Sequence, residues 1–117
     1  MKRSTVNAIL IEANQFIRSH GFYLPPFAYL QPKELIERKS DLKSIFAARL
    51  GWDITDYGAG RFDQMGLFLF TSRNGSMTHL KNGEGMCYAE KIMISRHDQV
   101  SPFHRHIIKT EDIINRG

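Results

Sequence analysis

A chain of 117 residues with 42% hydrophobic and 24% charged side chains has the size of one domain and enough apolar content for one core. The formal charge of +4 is scattered along the chain with Asp and Glu interspersed, which argues against a nucleic-acid surface. No apolar run is long enough to cross a membrane, and Met1-Lys2-Arg3 leads into Asn7, Glu12 and Asn14 rather than a signal-peptide core. The single cysteine, Cys87, forbids an intrachain disulfide and suits a reducing, cytoplasmic location, with the thiol expected as a small buried hydrophobe.

The first element is an amphipathic helix. Ser4, or Thr5, is the expected N-cap, and Val6, Ile9, Leu10, Ala13, Phe16 and Ile17 share one helical face. His20-Gly21 is its stop, with Gly21 suited to a left-handed cap. Residues 22–30 are aromatic and stiffened by Pro25 and Pro26, which predicts an extended arm packed across the domain or a partner. A wall for a sugar is the sharper reading of the same aromatics. Pro32 suits the first position of a second helix, and Ser40 or Asp41 is expected to cap a third that ends at Leu50-Gly51.

Past Gly51 the pattern changes to strands and turns. Residues 52–58 read as a turn-rich strand entry, with Asp53 and Asp56 serving turn chemistry. The run 65–72 is a strongly apolar strand, expected to be covered on both faces. Asn74-Gly75 signals a hairpin, which makes residues 77–80 its expected partner strand. Residues 86–95 alternate as another strand with Tyr88, Glu90, Ile92 and Ile94 on one side, and 96–99 form a turn.

Residues 100–117 hold the chemistry. In a strand, His104 and His106 point to one face and Arg105 to the other, with the imidazoles about 7 Å apart along the backbone. A carboxylate from the next strand, Glu111, adds a third donor, and two His with one carboxylate suit Mn, Fe, Co, Ni or Zn with positions left open. The spacing resembles the first cupin motif, G-x5-H-x-H-x3,4-E-x6-G. His104, His106 and Glu111 match it, Asp98 stands where the first Gly belongs, and the second Gly falls one position past Gly117.

More specific segments run through the whole chain: GFYLPPFAY at 21–29, GWDITDYG at 51–58, YAEKIMI at 88–94 and HRHIIKTEDIINRG at 104–117. In this order they resemble the D-lyxose ketol-isomerase family. The resemblance implies a mainly β fold with N-terminal helices, a cupin-type, jelly-roll-like antiparallel β-barrel of which only the first half is present. Residues 1–50 are then helical decoration with the Pro/aromatic arm, and 51–117 the first part of the barrel. It also implies Mn²⁺, or another divalent metal, held by His104, His106 and Glu111, with a fourth His supplied by a second motif farther along the family's chains. The implied reaction interconverts D-lyxose with D-xylulose and D-mannose with D-fructose through an enediolate, in a homodimer. Glu111 is then also a candidate proton shuttle, and Lys109 a candidate to steady a developing oxygen anion, beside the plainer reading of a solvated turn lysine. Two further readings use the same residues: a truncated or purely sugar-binding cupin, and Fe(II) oxygen chemistry.

Overall fold

The computed structural model describes residues 1–85, 87–107 and 110–117. Helix α1 spans Arg3–Ser19, and its i, i+4 ridge of Ile9, Ala13 and Ile17 is buried. Val6 and Leu10 lie half-buried beside it. Phe16, expected on this face, is instead 46% exposed. It falls at the edge of the stripe centred on Ala13, where the ring turns over His20 with centroids 4.4 Å apart. The helix begins one residue before Ser4, and Lys2 takes the N-cap position without a side-chain cap. Its end is as expected: Gly21 adopts φ 78°, Phe22 N–H donates to Ile17 O at 3.2 Å and Gly21 N–H to Arg18 O at 3.0 Å. That pair of bonds is a Schellman cap.

The proline-stiffened arm does pack across the domain, but as a 3-10 turn at Pro26–Tyr29 rather than as extended chain. Leu24 is buried in the core, Phe27 stacks on Phe70 at 5.8 Å and Ala28 O accepts the Trp52 indole N–H at 2.9 Å. Helix α2, Pro32–Glu37, starts with Pro at its first position and a capping box between Gln31 and Glu34. Helix α3 covers only Lys43–Ala47, with Leu42 rather than Ser40 or Asp41 at its N-cap.

Three antiparallel strands follow in the order β1-β2-β3: β1 at Gly51–Thr55, β2 at Leu67–Arg73 and β3 at Glu90–Ile94. The register pairs Trp52 with Phe70 and Ile54 with Phe68, then Phe70 with Ile92 and Phe68 with Ile94. Period-two alternation therefore puts Trp52, Ile54, Phe68, Phe70, Ile92 and Ile94 on one face, and this face packs with the α1 ridge, Leu24 and Phe62. The opposite face carries Asp53, Leu69, Thr71 and Met93; Thr71 is buried, Leu69 half-buried, and Asp53 and Met93 exposed. The apolar run of β2 is thus covered fully on one side only.

Several expectations give way here. Residues 77–80 are not a strand: α4 occupies Met77–Asn82, and β2 pairs with β3 instead. Local capping overrides the Asn74-Gly75 signal. Ser76 Oγ accepts the His79 N–H at 3.3 Å, Gly83 takes φ 67° and Glu84 N–H closes the far end on His79 O at 2.9 Å. Cys87 is exposed, not buried, because β3 begins only at Glu90 and leaves residue 87 before the sheet. Beyond Val100, which bridges Met65, the described residues contain no strand. A ladder needs a neighbour and an N–H, and Pro102 has no N–H to give. The architecture is a small α+β fold with one antiparallel sheet; a closed barrel is not seen among the described residues. None of their helices is long and apolar enough to cross a membrane.

Two neighbouring residues on α1 provide a contrast. Ile17→Ala should destabilise the chain by roughly 2–5 kcal/mol, whereas Phe16→Ala should lose about 1 kcal/mol or less. Urea unfolding monitored by Trp52 fluorescence measures both, and equal losses would place the buried ridge incorrectly.

Candidate metal centre

The imidazoles are delivered by the chain leaving β3. Residues 96–99 form a turn, closed by Gln99 N–H donating to Arg96 O at 3.1 Å, with Asp98 in the left-handed region at φ 57°. Arg96 sits at the centre of an ionic cluster. Its guanidinium reaches Glu12 of α1 at 2.6 Å and pairs with Asp63, and it lies 5.3 Å above the Phe62 ring. Val100 then docks on the 61–66 loop, with its N–H on Gln64 O at 3.0 Å and its O receiving Gly66 N–H at 3.1 Å.

His104 and His106 follow without strand geometry, yet their rings come together, with centroids 5.0 Å apart and planes at 81°. His104 Nδ1 lies 2.9 Å from Pro102 O, a contact that requires the proton on Nδ1 and leaves Nε2 as the free lone pair. His106 Nε2 lies 3.1 Å from Glu111 Oε2, and both side chains are partly open to solvent, at 35% and 45% exposure. Lys109 lies outside the described residues. The expected same-face pairing from one strand is therefore replaced by a close edge-to-face contact of the two rings outside any strand.

Two imidazoles and one carboxylate are chemically suited to a divalent first-row ion. Their present arrangement is a chain of neighbours, His104 beside His106 and His106 against Glu111. Among the described residues no three His, Cys, Asp or Glu side chains converge on one point. The remaining histidines are elsewhere: His97 is exposed and pairs with Asp98 at 2.8 Å, His20 packs at the end of α1 and His79 lies on α4. Asp56 is buried and accepts the Gly58 N–H at 3.0 Å, which is the turn role expected for it. Sequence reasoning missed Phe62, which is buried in the core, and the Arg96 cluster, whose partners are far apart in the chain.

The D-lyxose isomerase family model matches residues 1–117. The chain belongs to this family. It is 46% identical over 121 residues to the D-lyxose/D-mannose isomerase of Escherichia coli O157:H7, and 44% identical over 119 residues to that of Serratia proteamaculans. In both cases all of this chain is covered, against 51% of the relative. The chain thus spans about half the length of the curated family members it matches.

The His106–Glu111 contact is a partly exposed pair, and such pairs contribute about 1 kcal/mol or less. Glu111→Gln should accordingly shift the urea midpoint only slightly. A large loss would make this carboxylate a structural group rather than a candidate ligand.

Proposed function

We propose that this chain is part of a metal-dependent aldose–ketose isomerase that interconverts D-lyxose with D-xylulose and D-mannose with D-fructose. His104, His106 and Glu111 are its protein ligands for a divalent ion, Mn²⁺ by family resemblance. The observation that carries the proposal is the family match across residues 1–117, which includes the segment where two imidazoles and a carboxylate lie together. The same reading makes residues 51–117 the first part of a cupin-type barrel and 1–50 its helical decoration, in a cytoplasmic homodimer. The open sheet face bearing Asp53, Leu69 and Met93 supports it, since a barrel supplies the cover such a face lacks.

From aldose to ketose, isomerisation moves one proton from C2 to C1 and another from the C2 oxygen to the C1 oxygen, so the carbonyl passes from C1 to C2. When bound, the ion would supply Lewis-acid polarisation of the sugar oxygens. The other tasks fall to side chains. His104 and His106 would offer ring nitrogens to the ion and so position the reacting end. The Glu111 carboxylate, already within hydrogen-bond reach of His106, can take up and return a proton. Lys109 would place a positive charge beside the oxygen that gains electron density.

The exposure of His106 and Glu111 favours a second reading for the chain taken alone, an inactive or purely sugar-binding cupin fragment. Preorganised charges act most strongly where water is excluded, and here water has access. With Mn²⁺ and labelled D-lyxose, the 117-residue chain should turn over little. Turnover should appear when it is combined with the remaining half of the Escherichia coli relative, and His104→Ala should abolish it. Sugar binding without turnover in that mixture would favour the binding module, and O₂ consumption would favour the oxygenase.

A further inference from the structure

We infer that the cleft between α1 and the loop after β1 is a second binding site, and that its ligand is a neutral polyhydroxylated molecule, a free sugar or its alditol. The first half of α1 forms one wall and residues 56–63 contribute the other. Arg96 closes one end by bonding to both. Its guanidinium reaches Glu12 on the helix at 2.6 Å and pairs with Asp63 on the loop. Ile9 and Phe62, both members of the buried core, border the space between the walls. The cleft holds about 640 Å³, within the range of small-molecule sites. Among the described residues none beyond Arg96 lines it, so it is distinct from the candidate metal centre.

The lining selects the class of ligand. Its charged side chains balance, with Glu12, Asp56 and Asp63 against Lys2, Arg61 and Arg96. An ionic ligand is attracted by one set and repelled by the other, so charge gives it little net gain. A hydroxyl both donates and accepts, and serves either kind of side chain. Capacity for such bonds remains. Asp56 is only 8% exposed, and one of its oxygens accepts the Gly58 N–H at 3.0 Å. Its second oxygen has no partner among the described residues. None of their sealed side-chain oxygens lacks one, so this oxygen is open, and the cleft is the opening that Asp56 borders. Arg61 spends one N–H on Gln64 Oε1 at 3.2 Å and keeps the rest of its guanidinium, and Thr5 adds a hydroxyl from the helix wall. Beside these groups, Ala8, Ile9 and Phe62 offer apolar surface to the C–H faces of a sugar ring or carbon chain. A neutral molecule that alternates O–H and C–H surface matches both kinds of wall.

The test follows the backbone amides of the isotope-labelled 117-residue chain, without metal, during titration with D-mannitol, an alditol with no carbonyl to isomerise. The amides of Ala8, Gly60 and Phe62 should shift along one saturating curve. Ala8→Phe, at an exposed position of α1, fills the cleft and should abolish the shifts while the unfolding transition persists. Asp56→Asn keeps an acceptor for the Gly58 N–H, removes the charge and should weaken binding on the order of tenfold. Should one variant fail to fold, the other decides. No saturable shift in the parent chain, or an unchanged curve in a folded variant, overturns the inference. So does inorganic phosphate shifting the same amides at lower concentration, since the cleft is then an anion site. The metal reading is tested elsewhere, by Mn²⁺ broadening of the His104 and His106 rings. Its failure leaves the mannitol shifts in place, and their absence leaves the broadening in place.

Discussion

Everything in this fold is organised around the burial of Phe70. The ring sits at the middle of the central strand, between Trp52 on β1 and Ile92 on β3, under the Phe27 ring of the arm. It is fully buried, as Phe68 nearly is, and Trp52 meets both rings at about 5 Å, tilted or edge-on. Aromatic rings contribute large buried areas and prefer such offset geometries. Because the Trp52 indole must also satisfy its N–H, it reaches Ala28 O and thereby fixes the arm. The arm in turn sets Leu24 into the core beside Ile17, so one aromatic cluster determines where α1 lies on the sheet.

That placement governs the approach to the candidate metal centre. With α1 seated on the sheet, Glu12 faces the turn after β3 and can meet Arg96. Phe62, part of the same core, presents its ring to Arg96 and its carbonyl to Gln99. The site segment is therefore not anchored by the sheet directly. It is anchored by a loop that the aromatic core holds in place, one step removed from the strands.

The helices and the strongly apolar strand were legible in the sequence because their signals are local. Periodicity marked the Ile9, Ala13 and Ile17 ridge, Gly21 marked the cap, Pro32 marked a helix start, and the run at 67–70 marked β2. What failed depended on competition between local signals or on distant partners. Asn74-Gly75 suggested a hairpin, but Ser76 and Gly83 cap a short helix in its place. Alternation in 86–95 predicted a longer strand; residue 86 lies outside the described residues, and among the others only 90–94 found a ladder. For the site, the residue types and the contact of His106 with Glu111 were readable from spacing, whereas the strand that was to carry them was not, since pairing is decided by a neighbouring chain. Gln99 has no sequence signature, because its two bonds join residues that only the fold brings together.

The separation between anchor and ligands has a physical consequence. His104 and His106 lie just beyond Val100, in exposed chain, and Glu111 meets His106 in a partly exposed contact rather than within a packed wall. Such a segment keeps its donors near one another at low enthalpic cost but retains conformational entropy that an ion would have to remove. The opposite sheet face, with Leu69 half-buried and Met93 open, shows the same incompleteness in the hydrophobic term. On the proposed reading, a second layer of protein over the sheet would answer both deficits. By covering Met93 it would gain apolar burial, and by walling the imidazoles it would lower the local dielectric and restrict their swing. On that reading stability and ion binding are expected to be coupled, because a layer covering both places would contribute to both.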